Sequence, residues 1–295
     1  MYCKGELAVK KRIRIMTHNV WNCDNNKPAW EAMGEDCSAA VRIDGLVRVY
    51  RETMPDIIGC QEVSMQMNDL LHTHCREAGL DYTLIWGRYT PILYRSDKFE
   101  LLDSEFVTYP ETIDGYEGTF NDVRSKAFNI AVFREKESGH VFVFATTHLW
   151  WRSSDESKKG TDSYQAFSDE ARTYQASMLI ERLRAYREKY QCPAIVLGDM
   201  NTGYNTEAIG RFFEAGFRHA HDIATEYAEE SVGYHYCFPA GYEKTYYDYP
   251  FEWAIDHILV IGEEEGAVKR FERYSPEYYF PISDHSPAYI DYEIG

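Results

Sequence analysis

Ala194-Ile195-Val196-Leu197-Gly198-Asp199-Met200-Asn201 is a short apolar run with a polar end. Four apolar residues closed by glycine are too few for a helix and suit a strand buried on both faces. In extended backbone Asp199 and Asn201 point to the same side. One hard acceptor beside one amide suits phosphate chemistry, although Gly-Asp and Asn-Thr-Gly are also turn formers. Ile57-Ile58-Gly59-Cys60 is a second run of the same kind, and it delivers Gln61-Glu62. A carboxylate at the end of a buried strand must be paired, protonated or metal-bound, because burying it bare is costly. On its own, Glu62 is better read as half of a salt bridge.

Between and around these runs the period changes. Residues 12–20 alternate weakly and predict a strand ending in Thr17-His18-Asn19-Val20-Trp21. Val41, Ile43, Leu46, Val47, Tyr50 and Met54 follow helical spacing up to Pro55, which stops the helix. A second helix carries Met67, Leu70, Leu71 and Ala78, with Gly79 as its stop. Segments near 82–87, 91–95, 105–109, 126–134 and 140–148 read as strands. Ala176, Leu179, Ile180, Leu183 and Tyr190 mark a long helix, and a shorter one is expected around 206–215. Two final strands are expected to carry Ile255-Asp256-His257 and Ser283-Asp284-His285. Two packed sheets with helices outside bury such a pattern, and the polar clusters fall at strand ends, where α/β sheets place their sites.

The 295 residues show no repeat and no Pro/Gly/Ser linker, so a single domain over 1–295 is expected. A net charge of −17 argues against a broad basic surface that grips nucleic acid. Seven cysteines without a CxxC pair read as thiols in a reducing compartment. The N-terminal stretch has no apolar core of a signal peptide, and no run approaches a membrane span. A cytoplasmic protein is the expectation. No Walker A loop or GxSxG elbow occurs, which disfavours nucleoside-triphosphate and serine-hydrolase chemistry.

Taken one at a time, His148 after a strand, Asn19 in a loop and Asp284-His285 between Pro281 and Pro287 have structural readings. Asp256 can orient His285 by holding one ring nitrogen. Their order is more specific than any one of them. Asn19, Gln61-Glu62, His148, Gly198-Asp199-Met200-Asn201, Ile255-Asp256-His257 and Ser283-Asp284-His285 together resemble the endonuclease/exonuclease/phosphatase superfamily, over about residues 12–292. The resemblance implies a four-layer α/β/β/α sandwich of two packed mixed sheets flanked by helices. It implies a metal-dependent phosphoester hydrolase, with Glu62 as main ligand of Mg²⁺ or Mn²⁺ and Asn19 and Asp284 near the same ion. Asp199 then positions or deprotonates the attacking water, and Asn201 holds the phosphate. His285, oriented by Asp256, and His148 contact it from two sides. Tyr94 and Arg124 fall where the family has substrate-facing residues. Oxygen and amide donors around carboxylates suit a hard cation rather than zinc.

Departures from the family pattern bear on the substrate. Tyr234-His235-Tyr236-Cys237-Phe238-Pro239 and Tyr246-Tyr247-Asp248-Tyr249 replace a recognisable strand before Asp256, and His257 stands where Tyr or Phe is common. Aromatic content is 15%, but the candidate rim is acidic at Glu226, Glu229, Glu230, Asp248 and Glu252. The run Arg152–Lys159 reads as a loop beside the site. The balance points to a phosphodiesterase or phosphatase for a small or lipid-headgroup phosphoester. Endonuclease or exonuclease action on nucleic acid is the alternative, with a non-catalytic binding module behind it. His219-Ala220-His221-Asp222 raises a zinc site but lacks the further ligands of a dinuclear one, and His72 and His74 lie on different helix faces. Natural substrate, ester order and oligomeric state stay open at this point.

Overall fold

The computed structural model describes residues 10–227, 250–279 and 281–295 in full, and 234–237 and 246–249 by their backbone. The chain runs β1 (Lys11–Asn19), α1 (Pro28–Glu31), α2 (Ala39–Thr53), β2 (Ile57–Gln61), α3 (Met65–Glu77), β3 (Thr83–Ile85), β4 (Ile92–Tyr94) and β5 (Phe99–Thr108). It continues with β6 (Ala127–Glu135), β7 (Val141–His148), α4 (Ser168–Tyr190), β8 (Ala194–Asp199), α5 (Glu207–Glu214), β9 (Arg218–His219) and α6 (Ala220–Ile223). It closes with β10 (Glu226–Tyr227), β11 (Tyr234–Cys237), β12 (Tyr246–Tyr249), β13 (Asp256–Ile261), β14 (Val268–Arg273) and β15 (Ala288–Ile294).

Seven strands pair in the order β10-β14-β15-β1-β2-β4-β3, and six in the order β5-β6-β7-β8-β13-β9. Both sheets are mixed: β1 is parallel to β2 and antiparallel to β15, while β7 is parallel to β8 and β8 antiparallel to β13. The strands β11 and β12 form a separate antiparallel ribbon.

Strand alternation sorts the apolar side chains into three cores. Ile13, Ile15, Ile57, Phe133, Phe142, Ile195, Leu197 and Ile258 fill the space between the sheets. Phe133, fully buried, meets Tyr94 at 4.9 Å and Phe99 at 5.8 Å between ring centroids. Met16, Ile58 and Leu93 face the other way, onto α2 and α3. Val143, Val196 and Leu259 pack under α4 and α5. The result is the expected helix, sheet, sheet, helix layering. Each fully buried Leu, Ile or Phe contributes roughly 2 kcal/mol of transfer free energy.

The helix-period reading needs one correction. Val41 and Met54 are exposed, and Arg42 takes the buried stripe between them. Its guanidinium donates to the carbonyls of Val20, Trp21, Cys23, Cys37 and Ile282, so a charged side chain is buried by satisfying loop backbone. Met54 adopts a left-handed conformation as the helix end, one residue ahead of Pro55. The strand expected at 105–109 begins at Phe99, and β14 carries no clear alternation in sequence. Ser283-Asp284-His285 lies in a loop ahead of β15, not on a strand. No helix among the described residues is long and apolar enough to cross a membrane.

Two glycines allow close approaches near the polar strand ends, Gly59 between the sheets and Gly198 between β7 and β8. A Cβ on Gly59 would lie 2.4 Å from Leu197 Cδ1 of the opposite sheet. At Gly198, φ is +146° and a Cβ would lie 2.0 Å from the Thr147 carbonyl oxygen. Strain and overpacking add there. Gly198→Ala is expected to cost roughly 3 kcal/mol in urea unfolding; a loss below 0.5 kcal/mol would show that β8 can shift away from β7.

Candidate active site

The two central parallel pairs end on the same side of the sandwich. In the six-stranded sheet, Asp199 is in register with His148 on one side and Asp256 on the other. In the seven-stranded sheet, Asn19 is in register with Gln61, and Glu62 follows with φ +62°, a turn out of the strand. Asn19 Nδ2 donates across the layers to Asp199 Oδ2 at 2.9 Å. The site is therefore a seam between the two sheets, closed by the Ser283–His285 loop. Ser283 Oγ fixes that loop by donating to the Asn19 carbonyl at 2.8 Å.

Asp199 is the centre. Its Oδ1 accepts the Asn201 N–H at 2.9 Å, and its Oδ2 lies 3.4 Å from His148 Nε2 and 3.7 Å from His285 Nε2. Burial pushes its pKa up to about 7; Asp256 and Glu62 add to the rise, and His285 and Lys126 oppose it. His285 Nδ1 bonds Asp256 Oδ2 at 2.8 Å. Burial opposes charge on this imidazole, but Asp256 and Asp199 outweigh it and hold its pKa well above the ordinary value. His148 behaves oppositely: burial, then Lys126 and His285, keep it neutral. Lys126 Nζ donates to His148 Nε2 at 2.6 Å. One face of Asp199 thus has an imidazolium and the other a neutral imidazole backed by an ammonium.

These groups open on a cleft of about 690 Å³, lined by Glu62, Lys126, His148, Asp199, Asn201, Asp284 and His285 among others. Glu62 Oε2 accepts the Asn22 N–H at 2.8 Å, and Glu62, His148 and Asp199 offer ligand atoms within 4.8 Å of one another. Asp284 Oδ1 is shut off from solvent with no hydrogen-bond partner among the described residues. Burial pushes Asp284 up to about 6. An orphaned carboxylate oxygen on the same cleft as Glu62 fits a hard divalent cation, which takes oxygen donors. Asn19 is less free than its expected role requires, since its Oδ1 already accepts the Trp21 N–H at 3.0 Å. Asn201 lines the cleft while its Nδ2 donates to the Leu149 carbonyl at 3.1 Å.

Two expected substrate contacts are placed elsewhere. Tyr94 sits in the core between the sheets against Phe133, because Tyr94 faces inward from β4. Arg124 is exposed and 4.0 Å from Glu111, off the cleft. The buried cation of that segment is Lys126, two residues on, where the chain enters β6. Tyr89, Lys27, Asp122 and Trp151 also line the cleft. Their only sequence signal is position beside turn residues. Of the 152–159 run, none lines the cleft, and Lys159 pairs with Glu156. Glu226 and Glu252 are exposed and off the cleft. Glu229, Glu230, Phe238 and Pro239 and the side chains of 234–237 and 246–249 lie outside the described residues.

The zinc reading has a structural answer. His219 Nε2 faces His257 Nδ1 at 3.1 Å, His257 Nε2 faces the Thr202 carbonyl at 2.7 Å, and the His221 ring stacks on Phe251. His219 and His257 spend their ring nitrogens on each other and on backbone, and His221 Nδ1 faces Asp222 Oδ1 at 3.4 Å. They form no metal-ligand cluster among the described residues.

Lys126→Met is expected to raise KM for a phosphoester about tenfold with a smaller fall in kcat, since it removes a charge-assisted contact worth about 1.5 kcal/mol. An unchanged KM would place Lys126 outside substrate binding.

Comparison with known proteins agrees with the architecture. The Endonuclease/Exonuclease/phosphatase family model matches residues 16–285. No curated protein matches the chain significantly. Among solved structures, an endonuclease/exonuclease/phosphatase from Bacteroides vulgatus aligns with TM-score 0.70 at 23% identity, covering 97% of this chain and 100% of that one. A mannosyl-6-phosphatase from Bacteroides thetaiotaomicron VPI-5482 aligns with TM-score 0.68 at 20% identity, covering 96% and 100%. TDP2 of D. rerio, complexed with single-strand DNA product, aligns with TM-score 0.64 at 17% identity, covering 96% and 99%.

Proposed function

This chain belongs to the endonuclease/exonuclease/phosphatase family, and we propose that it is a divalent-metal-dependent hydrolase of small phosphoesters, of the sugar, inositol or lipid-headgroup kind. The observation that carries this reading is the convergence on Asp199 Oδ2 of Asn19 Nδ2, His148 Nε2 and His285 Nε2 at 2.9, 3.4 and 3.7 Å. A carboxylate held this way, between a cationic and a neutral imidazole, is a base with phosphate-binding groups on both flanks.

In this reading Asp199 takes a proton from the attacking water, with Asn19 and the Asn201 N–H fixing its two oxygens. Lys126, seated against His148, binds a non-bridging phosphoryl oxygen on one side. His285, charged and anchored by Asp256, binds the other side and gives a proton to the departing oxygen. Glu62 and Asp284 would hold Mg²⁺ or Mn²⁺, which when bound neutralises phosphate charge. The net charge of −17 favours a small substrate over a nucleic-acid backbone, and the phosphatase among the structural neighbours is consistent with that preference.

Hydrolysis of p-nitrophenyl phosphate and bis-p-nitrophenyl phosphate, with Mg²⁺, Mn²⁺ or EDTA, tests the proposal. Turnover abolished by EDTA and restored by metal is the expected result. Glu62→Gln is expected to shift the metal titration to at least about tenfold higher concentration. Absence of turnover on these esters, on phosphorylated sugars and on single-stranded DNA would overturn it; cleavage of DNA alone would select the nuclease reading.

A further inference from the structure

The loop joining β1 to α2 supplies two groups to the cleft: the Asn22 N–H, which holds Glu62, and Lys27. At its two ends stand Cys23 and Cys37, both buried, with Sγ atoms 3.6 Å apart and unbridged. Each thiol has a polar neighbour within the loop: Cys23 Sγ donates to the Asn25 carbonyl at 3.3 Å and Cys37 Sγ to Asn26 Oδ1 at 3.4 Å.

We propose that Cys23 and Cys37 are a reversible oxidation site, closing to a disulfide that staples the cleft loop at its base. The sulfurs need approach by only about 1.5 Å to reach bonding distance. The backbones are already tied to one another. Arg42 donates from Nε to the Cys37 carbonyl and from Nη2 to the Cys23 carbonyl, each at 2.8 Å. Asn26 adds a second tie, accepting the Cys37 N–H at 3.0 Å and donating to the Glu35 carbonyl at 2.9 Å. Trp21 and Trp30 pack over the pair, with ring centroids 6.2 Å apart. Frame and packing therefore hold the thiols in contact whether or not they are bonded.

The oxidant is a small disulfide. The Cys23 thiolate attacks one of its sulfurs, giving a mixed disulfide and one released thiolate. The Cys37 thiolate then attacks Cys23 Sγ, forming the protein disulfide and releasing the second thiolate. The two cysteine protons end on the two released thiols, so atoms and electrons balance. Burial pushes Cys23 up to about 11, with Cys37 adding to the rise, so the exchange speeds up as pH rises toward that value.

The test uses the whole chain with oxidised glutathione at pH 8, followed by iodoacetamide. Trypsin leaves both cysteines in Ile15–Arg42, because Lys27 precedes Pro28, and cleavage after Glu31 and Glu35 separates them. The expected result is a Cys23–Cys37 cross-link that dithiothreitol dissolves. Amide exchange over 22–36 should slow by about tenfold and Tm rise by about 5 °C. The Tm rise should be absent from Cys37→Ser treated in the same way. Recovery of both cysteines as single alkylated or glutathionylated peptides from folded wild type would overturn the proposal. This readout stands even if the variant fails to fold.

Discussion

Asp199→Asn is expected to lower kcat by about 10³-fold while leaving the protein folded, within the range for losing a positioned general base. The amide is isosteric, and its oxygen can still accept the Asn201 N–H, as Asp199 Oδ1 does now. Its nitrogen then faces Asn19 Nδ2, so one cross-sheet hydrogen bond is lost. That loss is set against relief of a buried carboxylate, whose cost is visible in a pKa pushed up to about 7. The two effects oppose each other, and Tm should move by only a few degrees. Steady-state rates on the preferred ester, with circular dichroism as the control, check this. Residual activity within tenfold of wild type would remove Asp199 from the role of base.

His285→Ala is expected to lower kcat by about 10²-fold or more and to change how stability depends on pH. His285 has a folded pKa raised above 6.5, so its contribution is fully present below 6.5 and is lost as pH rises through the folded value. Burial raises Asp256, but His285 outweighs it and leaves the pKa below 3.8. That contribution is present above 3.8 and lost as pH falls through the folded value. Both hold between about pH 4 and 6.5. In metal-free protein the gap in Tm between wild type and His285→Ala should be widest there and should narrow in stronger acid and in alkali. A gap independent of pH would show that His285 contributes by packing alone.

The same residues show why some of the site was readable in sequence and some was not. Asp199 ends a short apolar strand and Glu62 directly follows another, so their place at the polar ends of the two sheets follows from the runs that precede them. Asp284-His285 sits between prolines, which signals an ordered turn, yet the expected strand is a loop because Pro281 and Pro287 cannot supply ladder hydrogen bonds. Tyr94 and Arg124 carry the opposite lesson. Tyr94 faces the core between the sheets while its neighbour Leu93 faces the helices, and a one-residue shift in register moves a side chain to the other face of a sheet. Lys126 was hidden because a lone lysine at a strand entrance ordinarily points into water.

Sequence alone therefore determined the layer pattern, through apolar runs of two distinct periods, and the ordered set of polar strand ends. Tertiary structure decided how those ends meet. Close packing at Gly59 brings one sheet onto the other, and Asn19 then reaches Asp199 across 180 positions of chain. It also decided charge. Two histidines of the same intrinsic basicity are driven apart, His285 upward by buried carboxylates that outweigh its burial, and His148 downward by burial and then by a buried ammonium. Coulomb energies depend on separation and on exclusion of water, and neither is written in residue order.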